Sequence, residues 1–140
     1  MTPGQNVKRY LAGALDVRTG LLAWVEGERK TSALFIALLQ RLRANYPKAS
    51  LIHVVLDNYR IHDSKITQAA LAGLGGCIRL HFLPPYCPQH NKIERVWEEL
   101  HANVTRSHTC PNIKRLMVEV REYLWRRNRI RAGVERRRAG

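Results

Sequence analysis

The stretch SLIHVVLDNYRIH, residues 50–62, changes character at its middle. Its first half is an almost unbroken apolar run rich in branched side chains, and Asp57 ends it. Such a run reads as a strand over 50–57. Its weak alternation predicts burial on both faces, as in parallel α/β sheets. His53 inside it is then expected to be a core histidine satisfied by its neighbours. In open α/β sheets functional side chains gather just beyond the carboxyl ends of strands, which is where Asp57 stands. An acid there serves equally well to cap the next turn or to pair with an arginine.

Downstream, residues 62–76 (HDSKITQAALAGLGG) read as a helix, with Asp63 or Ser64 as N-cap and Gly75–Gly76 as its stop. CIRLHFLPP (77–85) follows as a second strand, ended by prolines that cannot continue a ladder. In LPPYCPQHNKIERVWEELH (83–101), Asn91 is a plausible helix cap, and Ile93, Trp97, Leu100 and Val104 form an apolar stripe. Trp97 reads as core rather than as a DNA-stacking surface. Pro111 opens a further helix with Ile113, Met117, Val120 and Leu124 on one face.

Upstream, VKRYLAGALD (7–16) and LLAWVEG (21–27) flank VRTG and predict a β-hairpin whose turn Gly20 completes. Asp16 is expected to serve that turn through local hydrogen bonds. KTSALFIALLQRLRANYP (30–47) predicts an amphipathic helix, capped by Thr31 or Ser32, with Phe35, Leu39, Leu42 and Tyr46 on its apolar side. The order strand, strand, helix, strand, helix, strand, helix, helix implies an α/β fold with a mixed sheet flanked by helices.

Charge narrows the partners. The 140 residues carry 24 Lys and Arg against 11 Asp and Glu, a formal charge of +13. That excess favours a polyanion, with nucleic acid the default. A membrane surface ranks lower, because neither a long apolar span nor a basic amphipathic helix with an aromatic face occurs. The opening MTPGQNVKRY has no apolar signal run, which points to an intracellular protein. Three cysteines without CxxC spacing argue for reduced thiols rather than a disulfide framework. Cys87, His90, His108 and Cys110 keep a zinc reading open, although HTC is tighter than usual ligand spacing. Residues 121–140 hold eight arginines and two glutamates. Two readings stand for them: a solvated, frayed tail, or an arm that contacts phosphates through planar guanidinium forks.

Against this basic background Glu94 opens a helix. An acid there meets the helix dipole favourably, a structural role. With Asp57 it would also make a pair of oxygen ligands for Mg²⁺, which completes its shell with water and phosphate. Such ions activate a nucleophile and stabilise the leaving oxygen of a phosphodiester.

VVLDNYRIH together with HFLPPYCPQHNKIERVWEELH resembles the DDE transposases of bacterial insertion sequences, in the mariner-type superfamily. The matching positions are Asp57, Asn58 and His62, then Leu83, Pro84, Tyr86, Pro88, Asn91, Ile93, Glu94 and Trp97. The 36 residues between Asp57 and Glu94 are close to the family's spacing. GALDVRTG and VEGERKTSALFIALL resemble the second and third strands and first helix of that core, so the likeness covers residues 2 to about 110. It implies a ribonuclease-H-like fold, Mg²⁺ or Mn²⁺, and cutting and joining of DNA ends by direct transesterification. Asp57 and Glu94 become the second and third carboxylates and the metal ligands. His62 is added as a catalytic candidate that orients a phosphate or a metal-bound water, against a plain helix-entry role. Tyr86 and Asn91 are expected to shape the loop that presents Glu94.

Two departures accompany the likeness. Lys92 stands where the family commonly has proline, which loosens the helix entry and adds a charge near the metal. The family's first catalytic Asp lies on a central strand preceding TPGQNVKRY, and Asp16 does not replace it. These residues therefore read as a truncated catalytic core over 1–110 and a C-terminal helix with an arginine-rich tail over 111–140, inactive alone for want of one ligand. Edges left by the missing strand invite self-association or pairing with an N-terminal part. Lys92, Arg95, Arg126, Arg127, Arg129 and Arg131 are the candidate DNA contacts. The alternative is a non-catalytic, basic DNA-binding or transposase-regulating module. Either way the expected place is the bacterial cytoplasm, at the nucleoid.

Overall fold

The computed structural model of the protein describes residues 8–56, 64–82, 92–106 and 108–139, with side chains up to residue 133. The order of elements is β1 (Tyr10–Leu15), β2 (Leu22–Gly27), α1 (Ser32–Asn45), β3 (Ile52–Leu56), α2 (Lys65–Gly73), β4 (Ile78–Phe82), α3 (Ile93–Leu100) and α4 (Ile113–Ala139). A π-helical segment, His101–Thr105, continues α3. The chain divides into two compact units, one of Met1–Arg9, Leu15–Leu22 and Lys92–Gly140, the other of Tyr10–Ala14 and Ala23–Asn91.

In the second unit β1 pairs with β2, and β3 pairs with β4 in parallel. Among the described residues no ladder joins the two pairs, so the strands form two small sheets rather than one. α1 starts where Thr31 accepts the Leu34 N–H at 3.3 Å, and it buries Phe35, Leu38, Leu39 and Leu42. α2 starts at Ser64, whose hydroxyl accepts the Thr67 N–H at 3.2 Å. It stops at Gly75 and Gly76, both at positive φ (78° and 69°), a backbone state that suits glycine. Ser64 also bonds the Ser32 hydroxyl at 2.9 Å and that of fully buried Thr67 at 3.0 Å, which ties the starts of α1 and α2 together. Phe35, Leu39, Leu56, Cys77 and Ile78 form the core, with Ile52, Val54, Leu71, Leu74 and Leu80 packed on it.

β3 corrects the expectation of a strand buried on both faces. Ile52, Val54 and Leu56 face the core, whereas His53 is exposed and Val55 is 53% exposed. The reason is that this two-stranded sheet is packed on one side among the described residues, so the period of two decides burial despite the apolar sequence. His53 is accordingly not a core histidine.

In the first unit the hairpin turn forms as expected. Asp16 Oδ1 accepts the N–H groups of Arg18 (2.9 Å) and Thr19 (3.3 Å), and the Gly20 N–H donates to the Asp16 carbonyl at 2.7 Å. Gly20 has φ +78°. Asn112 opens α4 by accepting the Arg115 N–H at 2.9 Å. α4 buries Met117, Val120 and Leu124, as its apolar spacing predicts. α3 buries Val96 and Leu100 and half-buries Ile93 and Trp97, so the predicted stripe needs Val96 added at its centre. No helix of the described residues is long and apolar enough to cross a membrane.

Candidate functional site

Glu94 lies in the first turn of α3. Its position follows from the helix's burial: Val96 and Leu100 point inward, which leaves Glu94, Arg95, Glu98 and Glu99 on solvent. Lys92 occupies the cap position with helical angles (φ −62°, ψ −22°), is exposed, and supplies no side-chain cap. The early N–H groups of α3 thus keep their positive potential, and Glu94 is the acid placed in it. Among the described residues the Glu94 side chain makes no hydrogen bond or ion pair. A carboxylate in this state suits a hard cation, because both oxygens remain available for Mg²⁺ or Mn²⁺ beside water. Asp57 and His62, its expected companions, lie outside the described residues, as do Asn58, Tyr86 and Asn91.

The arginine-rich segment is helical rather than frayed, since α4 runs through it to Ala139. Two of its residues are fastened to the hairpin. Asn128 accepts the Leu22 N–H at 2.9 Å and donates to the Leu22 carbonyl at 2.8 Å, a side chain imitating a strand partner. Arg127 is half-buried and donates to the Gly20 carbonyl at 2.8 Å. Burial and nearby Arg131 draw the Arg127 guanidinium below its usual range, while Glu99 and Tyr123 act the other way. Arg131 lays its stem over Gly20, where an added Cβ would come within 3.2 Å of the arginine Cδ. Arg126 and Arg129 are exposed, beside Trp125, which is 54% exposed. Of the four candidate arginines of α4, Arg127 is half-buried and bonded, whereas Arg126, Arg129 and Arg131 are exposed, the last with its stem along Gly20. Sequence reasoning missed Asn128 because its partner is 106 residues away.

Where α3 passes into the π-helical segment, Asn103 Nδ2 bonds the Glu99 carbonyl at 2.7 Å and the Arg106 N–H reaches the His101 carbonyl at 2.8 Å. The side-chain amide replaces a backbone donor that the wider turn displaces. Nothing in the sequence signalled this.

The zinc reading is only half visible, because Cys87 and His90 lie outside the described residues. His108 Nδ1 accepts the Cys110 N–H at 3.2 Å. Partial burial pushes the Cys110 thiol pKa up, Glu119 adds to this, and Arg115 opposes it. Cys77 is buried and bonds the Leu74 carbonyl at 3.1 Å. Among the described residues no group of three or more His, Cys, Asp or Glu side chains converges on a metal position.

Comparison with known proteins adds to this geometry. A family profile described as DDE superfamily endonuclease matches residues 2–117. Over 124 residues, 89% of its length, the chain is 45% identical to the insertion element IS630 uncharacterized 39 kDa protein of Shigella sonnei. It spans 36% of that relative's length. In three dimensions the chain is similar to a chain of the cryo-EM structure of the simian T-cell lymphotropic virus intasome in complex with PP2A regulatory subunit B56 gamma. The TM-score is 0.61 at 21% identity, covering 83% of this chain and 42% of that one. This likeness concerns the fold, and it bears out the ribonuclease-H-like α/β class expected from the sequence.

Proposed function

Because the chain belongs to the DDE superfamily endonucleases, the family its motifs resemble, we propose that it supplies the second and third carboxylates of an insertion-sequence transposase core. What supports this reading is that both motif acids lie inside the matched segment, Asp57 at the end of the 50–57 run and Glu94 exposed on the first turn of α3, its side chain without a partner among the described residues. Enzymes of this superfamily generally use divalent metals. Asp57 and Glu94 would hold the Mg²⁺ or Mn²⁺, which when bound activates a water or hydroxyl and offsets charge on the leaving oxygen of a phosphodiester. The chain's own residues position the DNA. Lys92 and Arg95, exposed on either side of Glu94, neutralise phosphates next to the reacting one. His62 orients a phosphate oxygen or the attacking water. Arg126 and Arg129 hold DNA further along α4.

The resemblance puts the first carboxylate on a strand between the counterparts of β1 and β3. Among the described residues no ladder joins the two strand pairs, which supports a reading in which other polypeptide fills that place. These 140 residues alone then lack one ligand and do not cut DNA. The exposed arginines of α4 and the charge of +13 favour a second, compatible reading as a DNA-binding or transposase-regulating module acting at the bacterial nucleoid. The test is strand cleavage and transfer of insertion-element end DNA with Mg²⁺, using the chain alone and the chain joined to the upstream part of its transposase. We expect activity only in the joined protein, abolished by Asp57→Ala or Glu94→Ala. Cleavage by the chain alone that survives both substitutions overturns the proposal.

A further inference from the structure

Away from the carboxylates, His53 and His81 meet on the face of the parallel sheet that is exposed among the described residues. The register sets His53 opposite Arg79 and Val55 opposite His81, so the two histidines are diagonal neighbours on adjacent strands. All four residues are exposed, whereas Ile52, Val54, Leu56, Ile78 and Leu80 face the core. Nδ1 of His53 stands 2.8 Å from Nε2 of His81, with ring centroids 5.0 Å apart and planes inclined at 35°. Two imidazole nitrogens at that separation share a single proton, because two lone pairs or two N–H groups would repel. When a metal displaces the shared proton, the donor ring carries its proton on its other nitrogen or releases it to solvent, and each facing nitrogen then offers one lone pair.

We propose that His53 and His81 form a two-histidine chelate for a borderline divalent transition metal: zinc, nickel or copper. Imidazole nitrogen favours these ions over magnesium. In a tetrahedral site with Zn–N bonds of about 2.0–2.1 Å, two nitrogens lie roughly 3.3–3.4 Å apart. The rings need to separate by about half an ångström and to turn so that both nitrogens face one ion, adjustments that the side-chain torsions of two exposed residues allow. Hydrogen bonding of β3 to β4 holds the two Cα atoms in register, so little ordering remains to be done on binding. Solvent supplies the other ligands. Arg79, on the same face, opposes the added charge and keeps the affinity modest. The proposal is independent of the transposase reading, since its ligands, metal class and position all differ.

The experiment is calorimetric titration of the full chain with Ni²⁺, without magnesium, on the wild type and on single His→Asn variants at positions 53, 81, 101 and 108. Wild type is expected to take up one equivalent. His53→Asn and His81→Asn should each weaken that event at least tenfold, as a two-point attachment falls to one-point, while His101→Asn and His108→Asn leave it unchanged. Ring-proton NMR signals of His53 and His81 should shift together with added Zn²⁺. Binding that survives both His53→Asn and His81→Asn, or that is abolished instead by Cys87→Ser or Cys110→Ser, overturns the proposal. Because positions 53 and 81 are exposed, the variants should retain the wild-type circular dichroism.

Discussion

Glu94 and Arg127 are charged residues on helices of the same compact unit, and the fold treats them in opposite ways. Glu94 is exposed and its side chain makes no bond to a described residue, on a helix start that its neighbour Lys92 leaves uncapped. Arg127 is half-buried, bonded to the Gly20 carbonyl, and accompanied by Asn128 and Arg131 at the same hairpin turn. A charge recruited to hold structure acquires partners. A charge kept for a ligand is left with its valences open. On the proposed function the contrast sorts the basic residues as well, with bonded Arg127 on the structural side and exposed Lys92, Arg95, Arg126 and Arg129 on the DNA side.

The sharpest way to break this comparison is Glu94→Gln in the complemented enzyme. We expect DNA cleavage to fall on the order of 10³-fold or more, since a metal centre supplies several kcal/mol to such a reaction. Chemical denaturation should meanwhile show unfolding free energy unchanged within about 0.5 kcal/mol, as for other exposed substitutions. A large loss of stability would mean that Glu94 serves structure.

Asn128→Ala should show the reverse pattern. It strips two partners from the backbone of Leu22, a buried residue, at a cost of about 2 kcal/mol. Urea unfolding monitored by circular dichroism would read that cost, and unchanged stability would dissolve the fastening of α4 to the hairpin. Smaller effects separate the arginines. Arg126→Ala or Arg129→Ala should lower the dependence of DNA affinity on salt by roughly one phosphate contact each. Arg127→Ala should instead cost about 1 kcal/mol of stability, because it leaves the Gly20 carbonyl without its donor.

The smallest expected effect concerns Cys110. Its pKa is raised, so less thiolate is present at pH 8 and alkylation should be slower than for an ordinary cysteine. Removing the charge with Glu119→Gln should speed the reaction, and Arg115→Ala should slow it. Peptide mapping after a timed iodoacetamide pulse would show both directions, and an unchanged rate in Glu119→Gln would contradict the assignment.

The features legible in the sequence are those whose causes are local. Asp16 and Gly20 form their turn within five residues, and Thr31, Ser64 and Gly75–Gly76 bound their helices through neighbours in the chain. Amphipathic α1 and α4 bury the faces their spacing foretold. What stayed hidden depends on contacts between distant segments. His53 and Val55 look like core residues in a β-branched run, and only the absence of cover on one sheet face among the described residues exposes them. Asn128 and Arg127 read as part of a charged tail until the hairpin arrives beside them. The place of Glu94 in the first turn of α3 was legible from its motif, whereas the His53–His81 pair needs the register of two strands to become visible.

Paramagnetic broadening by Mn²⁺ probes the carboxylate pair most directly. Backbone amide signals of residues 56–58 and 93–95 should weaken at the same Mn²⁺ concentration, and Asp57→Asn or Glu94→Gln should remove both effects together. Broadening confined to one segment, or persisting at the other after either substitution, would mean that the two acids do not share an ion.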